Sequence, residues 1–174
     1  MCKFALPDVF GHDITLLICG SAASKRSAET GNYYAGRRNK FWPTLFQIGL
    51  TPYRLEPKEF TKLPEFGIGL TDLAKYFSGS DARLRSGDDD PSSLLDKIGM
   101  IRPPVVAFNG KRAAKSFLAS NSVSYGRQEN RIGTSVSFVL PSTSGAAAQY
   151  WDIRYWHELA HLVGRFQGRS TKGN

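Results

Sequence analysis

Four short apolar runs punctuate this chain: Ile14–Cys19, Gly67–Leu70, Val105–Phe108 and Thr134–Leu140. Runs that are apolar at consecutive positions belong to strands covered on both faces, which is the signature of a parallel sheet between helical layers. Only the last run alternates, with Val136, Phe138 and Leu140 on one face. Helical stretches lie between and after them. Asn39 caps a predicted helix from Lys40 to about Ile48, and Gly49 follows its end. Pro91-Ser92 opens a second to about Ile98, Lys111–Leu118 forms a third, and Asp152 to about Phe166 a fourth. Thr71-Asp72 reads as a polar turn. Alternating strands and helices predict a three-layer α/β/α domain around a central, mostly parallel β-sheet.

At 174 residues the chain is expected to form one domain over 1–174, with a frayed end at 170–174. A composition of 41% hydrophobic and 22% charged residues argues against disorder. No apolar run approaches the ~20 residues of a membrane span. The start, MCKFALPDVFGHD, has no basic-then-apolar export segment, so a cytoplasmic, non-secreted protein is expected. Cys2 and Cys19 cannot hold a four-cysteine cluster, and Cys19 reads as a buried thiol.

Charge narrows the partner. Twenty-three basic against fifteen acidic residues leave +8, the footprint of a protein that meets a polyanion. Arg37, Arg38 and Lys40 bunch together, and Arg165, Arg169 and Lys172 fill a tail without acids. In open α/β sheets ligands bind outside the carboxyl ends of the strands. The loops there read Gly20-Ser21-Ala22-Ala23-Ser24, Asn109-Gly110-Lys111 and Pro141-Ser142-Thr143-Ser144-Gly145. Each is small and polar, so backbone amides can approach a phosphate.

A competing signal lies near the C-terminus. His157-Glu158-Leu159-Ala160-His161 spells the H-E-x-x-H pattern of zinc peptidases. Such a site needs a third protein ligand, downstream in the known patterns. Here LVGRFQGRSTKGN follows, without His, Cys, Asp or Glu. Ile153, Trp156, Ala160 and Val163 instead form a core-facing stripe, with Glu158 on the solvated face placed to pair with Arg154 and Arg165. No metal is expected.

Five blocks in order carry a more specific signal: Asn32–Trp42 (NYYAGRRNKFW), Gly49-Leu50-Thr51, Gly67–Asp72 (GIGLTD), Val106–Lys111 (VAFNGK) and Leu140–Ser144 (LPSTS). Over roughly residues 14 to 165 the chain resembles the mismatch-specific uracil/thymine DNA glycosylases of the uracil-DNA glycosylase superfamily, with features of the hypoxanthine-excising branch. The resemblance implies a base-excision repair enzyme, without cofactor, that flips a deaminated base out of DNA and hydrolyses its N-glycosidic bond. It implies a monomer, associated with the nucleoid, acting on mismatched or single-stranded damaged DNA.

The resemblance also assigns residues. Tyr34 matches the aromatic that stacks on the flipped base, beside a pocket drawing on Ser21, Ala22, Ser24 and Asn109. Phe41 and Trp42 read as core. Ser142, Thr143, Ser144 and Gly145 match the loop that enters the DNA, Gln149 a position that reads the opposite base, and Arg37, Arg38, Lys40 and Lys111 phosphate contacts. Relatives carry a bulky wedge where this chain has Gly145-Ala146-Ala147-Ala148, so weakly paired substrates are expected. Ala22 stands where the uracil/thymine relatives have the Asn that positions water. A methyl group cannot do that work. The resemblance to the hypoxanthine branch points instead to Asn39, and the residues themselves offer Asp72 as an alternative.

Overall fold

The computed structural model describes residues 4–170; Cys2, Lys172 and the expected frayed end beyond Ser170 lie outside that range. Its strands are β1 (Leu16–Gly20), β2 (Ile68–Asp72), β3 (Val105–Asn109), β4 (Gly126–Arg127) and β5 (Val136–Leu140). They form one sheet in the order β2-β1-β3-β5-β4. The first four of that order run parallel, and β4 pairs antiparallel with β5 at the edge. Every residue of β1, β2, β3 and β5 is buried, as consecutive apolar positions require of a sheet covered on both sides.

Helices α1 (Lys25–Thr30), α2 (Phe41–Gln47), α3 (Pro91–Ile101), α4 (Lys111–Leu118) and α5 (Ile153–Ser170) complete the fold. Strand residues alternate between two cores. Leu16, Ile18, Leu70, Val105, Ala107, Phe138 and Leu140 meet Phe41 and Leu45 of α2 and Trp156, Leu159 and Val163 of α5. Leu17, Cys19, Val106, Phe108 and Val139 meet Leu94 and Ile98 of α3 and Ala113 and Ala114 of α4. The result is the expected α/β/α layering with a mostly parallel sheet.

Several details differ from the sequence expectation. Asp72 is the last residue of β2 rather than part of a turn, because pairing with β1 continues through Gly20 opposite Asp72. The helix after Asn39 begins at Phe41, and Asn39 Oδ1 accepts from the Phe41 amide at 3.0 Å. Leu159 is buried where Ile153 and Ala160 are only partly so. Arg154 turns back onto Asp152 at 2.7 Å instead of pairing with Glu158. The 3₁₀ segment Pro57–Phe66 and the short α1, capped by Ser24, carried no clear apolar period.

Candidate active site at the carboxyl edge of the sheet

The two-residue period of a strand decides which side chains meet at this edge. Asp72 and Asn109 end their strands on the side of the first core, the same side toward which a side chain on Gly20 would point. A Cβ at Gly20 would lie 2.5 Å from Asp72 Oδ1 and 3.2 Å from the Tyr34 hydroxyl. Glycine is therefore required, because the carboxylate and the phenol close over its Cα with no room for a methyl group. Asp72 is 5% exposed, and among the described residues no hydrogen bond reaches its carboxylate. Burial pushes its pKa up to about 6, opposed by Lys75 and reinforced by Asp8 and Asp81. A buried, unpartnered carboxyl that titrates near neutrality is a candidate acid–base group.

Tyr34 arrives with a left-handed backbone, φ 53°, uncommon and strained for a residue with a side chain. Its ring stacks on Phe41 at 4.0 Å and 24°. Phe41 thus belongs to the core, as expected, and also forms the platform for Tyr34. Asn109 lies beside the Tyr34 hydroxyl but has other partners. Its amide donates to Thr143 Oγ1 at 2.9 Å, and its carbonyl accepts from the Thr143 amide at 3.0 Å.

That reciprocal pair joins the β3 loop to the β5 loop. The Thr143 carbonyl in turn accepts from the Lys40 amide at 2.9 Å. Gly145 packs so closely on Arg38 that an added Cβ would come within 2.9 Å of Arg38 Cβ. Gly110, at φ 115°, lets its loop pass Ser142. Three loops distant in sequence therefore form one wall, with Arg37 and Arg38 exposed along it. Within it, Ser142 Oγ accepts from the Ser144 amide and Ser144 Oγ from that of Ala146, starting the 3₁₀ segment Gly145–Tyr150, which carries the exposed Gln149.

The remaining candidates are more dispersed. Ser21 is buried and donates to Asp81 Oδ2 at 3.3 Å, while Ala22 is half-buried and Ser24 caps α1 through the Ser27 amide. Lys111 lies over the Tyr125 ring at 4.3 Å, and Lys40 over Trp151 at 5.3 Å. Sequence reasoning missed Asp81, whose carboxyl burial also holds above its ordinary value. Nothing periodic marks it: it sits in a polar stretch that only the fold brings beneath the β1 loop.

His157 and His161 are exposed on α5 and line a groove of about 560 Å³ with Arg127 and Arg165, on the flank beside β4. Among the described residues, no three His, Cys, Asp or Glu side chains come together as a metal-ligand group.

The family model of the uracil DNA glycosylase superfamily matches residues 7–161. The fold is similar to the solution NMR structure of a protein from Methanosarcina acetivorans described as a "putative Uracil DNA glycosylase". The TM-score is 0.65 at 24% identity, covering 90% of this chain and 96% of that one.

Proposed function

The chain belongs to the uracil DNA glycosylase superfamily, and from that premise we propose that it is a monofunctional DNA glycosylase that removes a flipped, deaminated base, hypoxanthine or uracil, from mismatched DNA. The observation that carries the proposal is the Asp72 carboxyl: buried, without a hydrogen-bond partner among the described residues, and packed over Gly20 at the carboxyl edge of the sheet. It supplies from β2 what the β1 loop lacks at Ala22. In this reading Asp72 takes the proton of the attacking water and stabilises the cationic sugar as the bond to the base breaks. Asn39 has its carbonyl engaged at the start of α2, so its amide nitrogen is what it offers to a substrate.

Binding follows from the wall of loops. Thr143, fixed by Asn109, orients Ser142 and Ser144 toward flanking phosphates, and Arg37, Arg38 and Lys40 add charge on the same side. Gly145 and the alanines after it form a small wedge, which favours bases that are already weakly paired. Lys111 and Gln149 reach the DNA only where they leave their present contacts or extend from the 3₁₀ segment.

The test is single-turnover excision from duplexes carrying hypoxanthine, uracil, xanthine or thymine opposite each base, read as alkali-labile sites. Cleavage of hypoxanthine or uracil in mismatches is expected. Binding without any cleavage would leave the second reading, a DNA-binding module, which Ala22 itself favours. Wild-type turnover by Asn39→Ala would remove Asn39 from the machinery.

A further inference from the structure

The His-Glu-Leu-Ala-His stretch lies on a flank that the catalytic edge does not use. Helix α5 buries Trp156, Leu159 and Val163 in the first core, and its adjoining face turns toward β4. There His157, His161 and Arg165 form one wall of the groove of about 560 Å³, and Arg127 of β4 stands on the other. Arg127 pairs in register with Phe138, so both side chains lie on the face of the sheet that α5 covers. Phe138 and Leu162 give the groove an apolar floor between these cationic walls.

Three features narrow the occupant. The cations are available: Arg154 is held by Asp152, but Arg127 and Arg165 are exposed, and among the described residues no carboxylate pairs with them. The edge strand β4 is two residues long, too short to template a partner's strand, so recognition falls to side chains. Tyr125 and Tyr155, with ring centroids 5.5 Å apart, pack beside Gly126 one register step nearer the carboxyl edge, between the groove and the wall of loops. A phosphate backbone would satisfy the arginines but leave the apolar floor bare. A second copy of this chain fits poorly, because its acidic run is engaged. Asp88 accepts from the Arg85 amide, Asp89 holds Arg112, and Asp90 accepts from the Ser93 amide.

We propose that this groove docks a short acidic segment of a protein partner, which seats one apolar side chain on the Phe138–Leu162 floor and its carboxylates on Arg127 and Arg165. The arginine forks orient the carboxylates, and the covered apolar side chain supplies affinity. The imidazoles of His157 and His161, one helical turn apart, add N–H donors along the same wall. Glu158, the one acid of the lining, stands beside Gly126 and disfavours a carboxylate at that end. A contact this small makes a transient complex. The proposal does not depend on which base the protein excises.

The full chain is panned against a displayed library of random short peptides, and the selected peptides are resynthesised and titrated. Enriched peptides should combine several Asp or Glu residues with one aromatic or aliphatic residue. Arg127→Gln with Arg165→Gln should weaken their binding at least about tenfold, as should Ser in place of the peptide's apolar residue. Lys58→Gln with Lys115→Gln removes the same charge from exposed positions elsewhere and should change peptide affinity less than about twofold. Melting temperatures of both variants should match that of the unaltered protein. Selected peptides without acidic residues, or equal binding by the two variants, would overturn the proposal. A loss of duplex affinity in the arginine variant beyond that of the lysine variant would assign the groove to DNA and overturn it as well.

Discussion

Two carboxylates packed near β2 face opposite ways and meet opposite fates. Asp8 accepts from Thr71 Oγ1 at 2.6 Å and from Lys75 and Lys97 at 2.9 Å each. Burial works against its charge, but those partners prevail and hold its pKa below the ordinary value. Asp72, one residue beyond Thr71 and so on the other face of the strand, has no such partner and is pushed up to about 6. The first carboxylate ties the N-terminal segment to the sheet. The second is kept uncomfortable, which is how a fold stores a reactive group at some expense in stability.

Asp72→Asn breaks the comparison most severely. Excision should fall by about 10²–10⁴-fold, the usual contribution of a positioned acid–base group. Stability should move the other way. A folded pKa raised above the unfolded value contributes stability that is complete below the unfolded pKa and lost as pH rises through about 6. Removing the charge should therefore return about 1–3 kcal/mol at neutral pH, seen in denaturant melts of the two proteins. In the unaltered protein, excision should decline as pH drops through about 6; a flat profile from pH 5 to 8 would exclude Asp72 as the base.

Asp8→Ala should do the reverse. It strands the buried Lys75 without its carboxylate, at a cost of about 3–5 kcal/mol in chemical denaturation. Asp8 supplies stability above its unfolded pKa that is lost only as pH falls through the lowered folded value. Excision per folded molecule should change little. The smallest effect belongs to the double change His157→Ala with His161→Ala: stability within about 0.5 kcal/mol, and excision unaltered by it or by a chelator.

Much of the architecture is legible in particular residues. Val105–Phe108 can only be a doubly covered strand, and Lys111–Leu118 starts and stops where the residues indicate. The site is legible in part. The order of its loops is visible, but Asp72 looked like a turn residue, since a polar Thr-Asp pair gives no hint of pairing with Gly20. The Asn109–Thr143 bonds span 34 residues, and the contact of Ser21 with Asp81 spans 60. Sequence period carries no information about such distances.

What the sequence determined alone is therefore local and periodic. Apolar runs and capping residues dictate strands, helices and a sheet covered on both faces, because burial and backbone hydrogen bonding act residue by residue. Tertiary structure decided which polar side chains would be left without partners. Burial opposes the charge of both carboxylates, but partners outweigh it at Asp8 and not at Asp72, and the hydroxyl of Tyr34 is isolated where that of Tyr33 is bonded. Those outcomes depend on parallel register and on loops meeting across the edge of the sheet, where a partner's presence or absence is settled in space rather than along the chain.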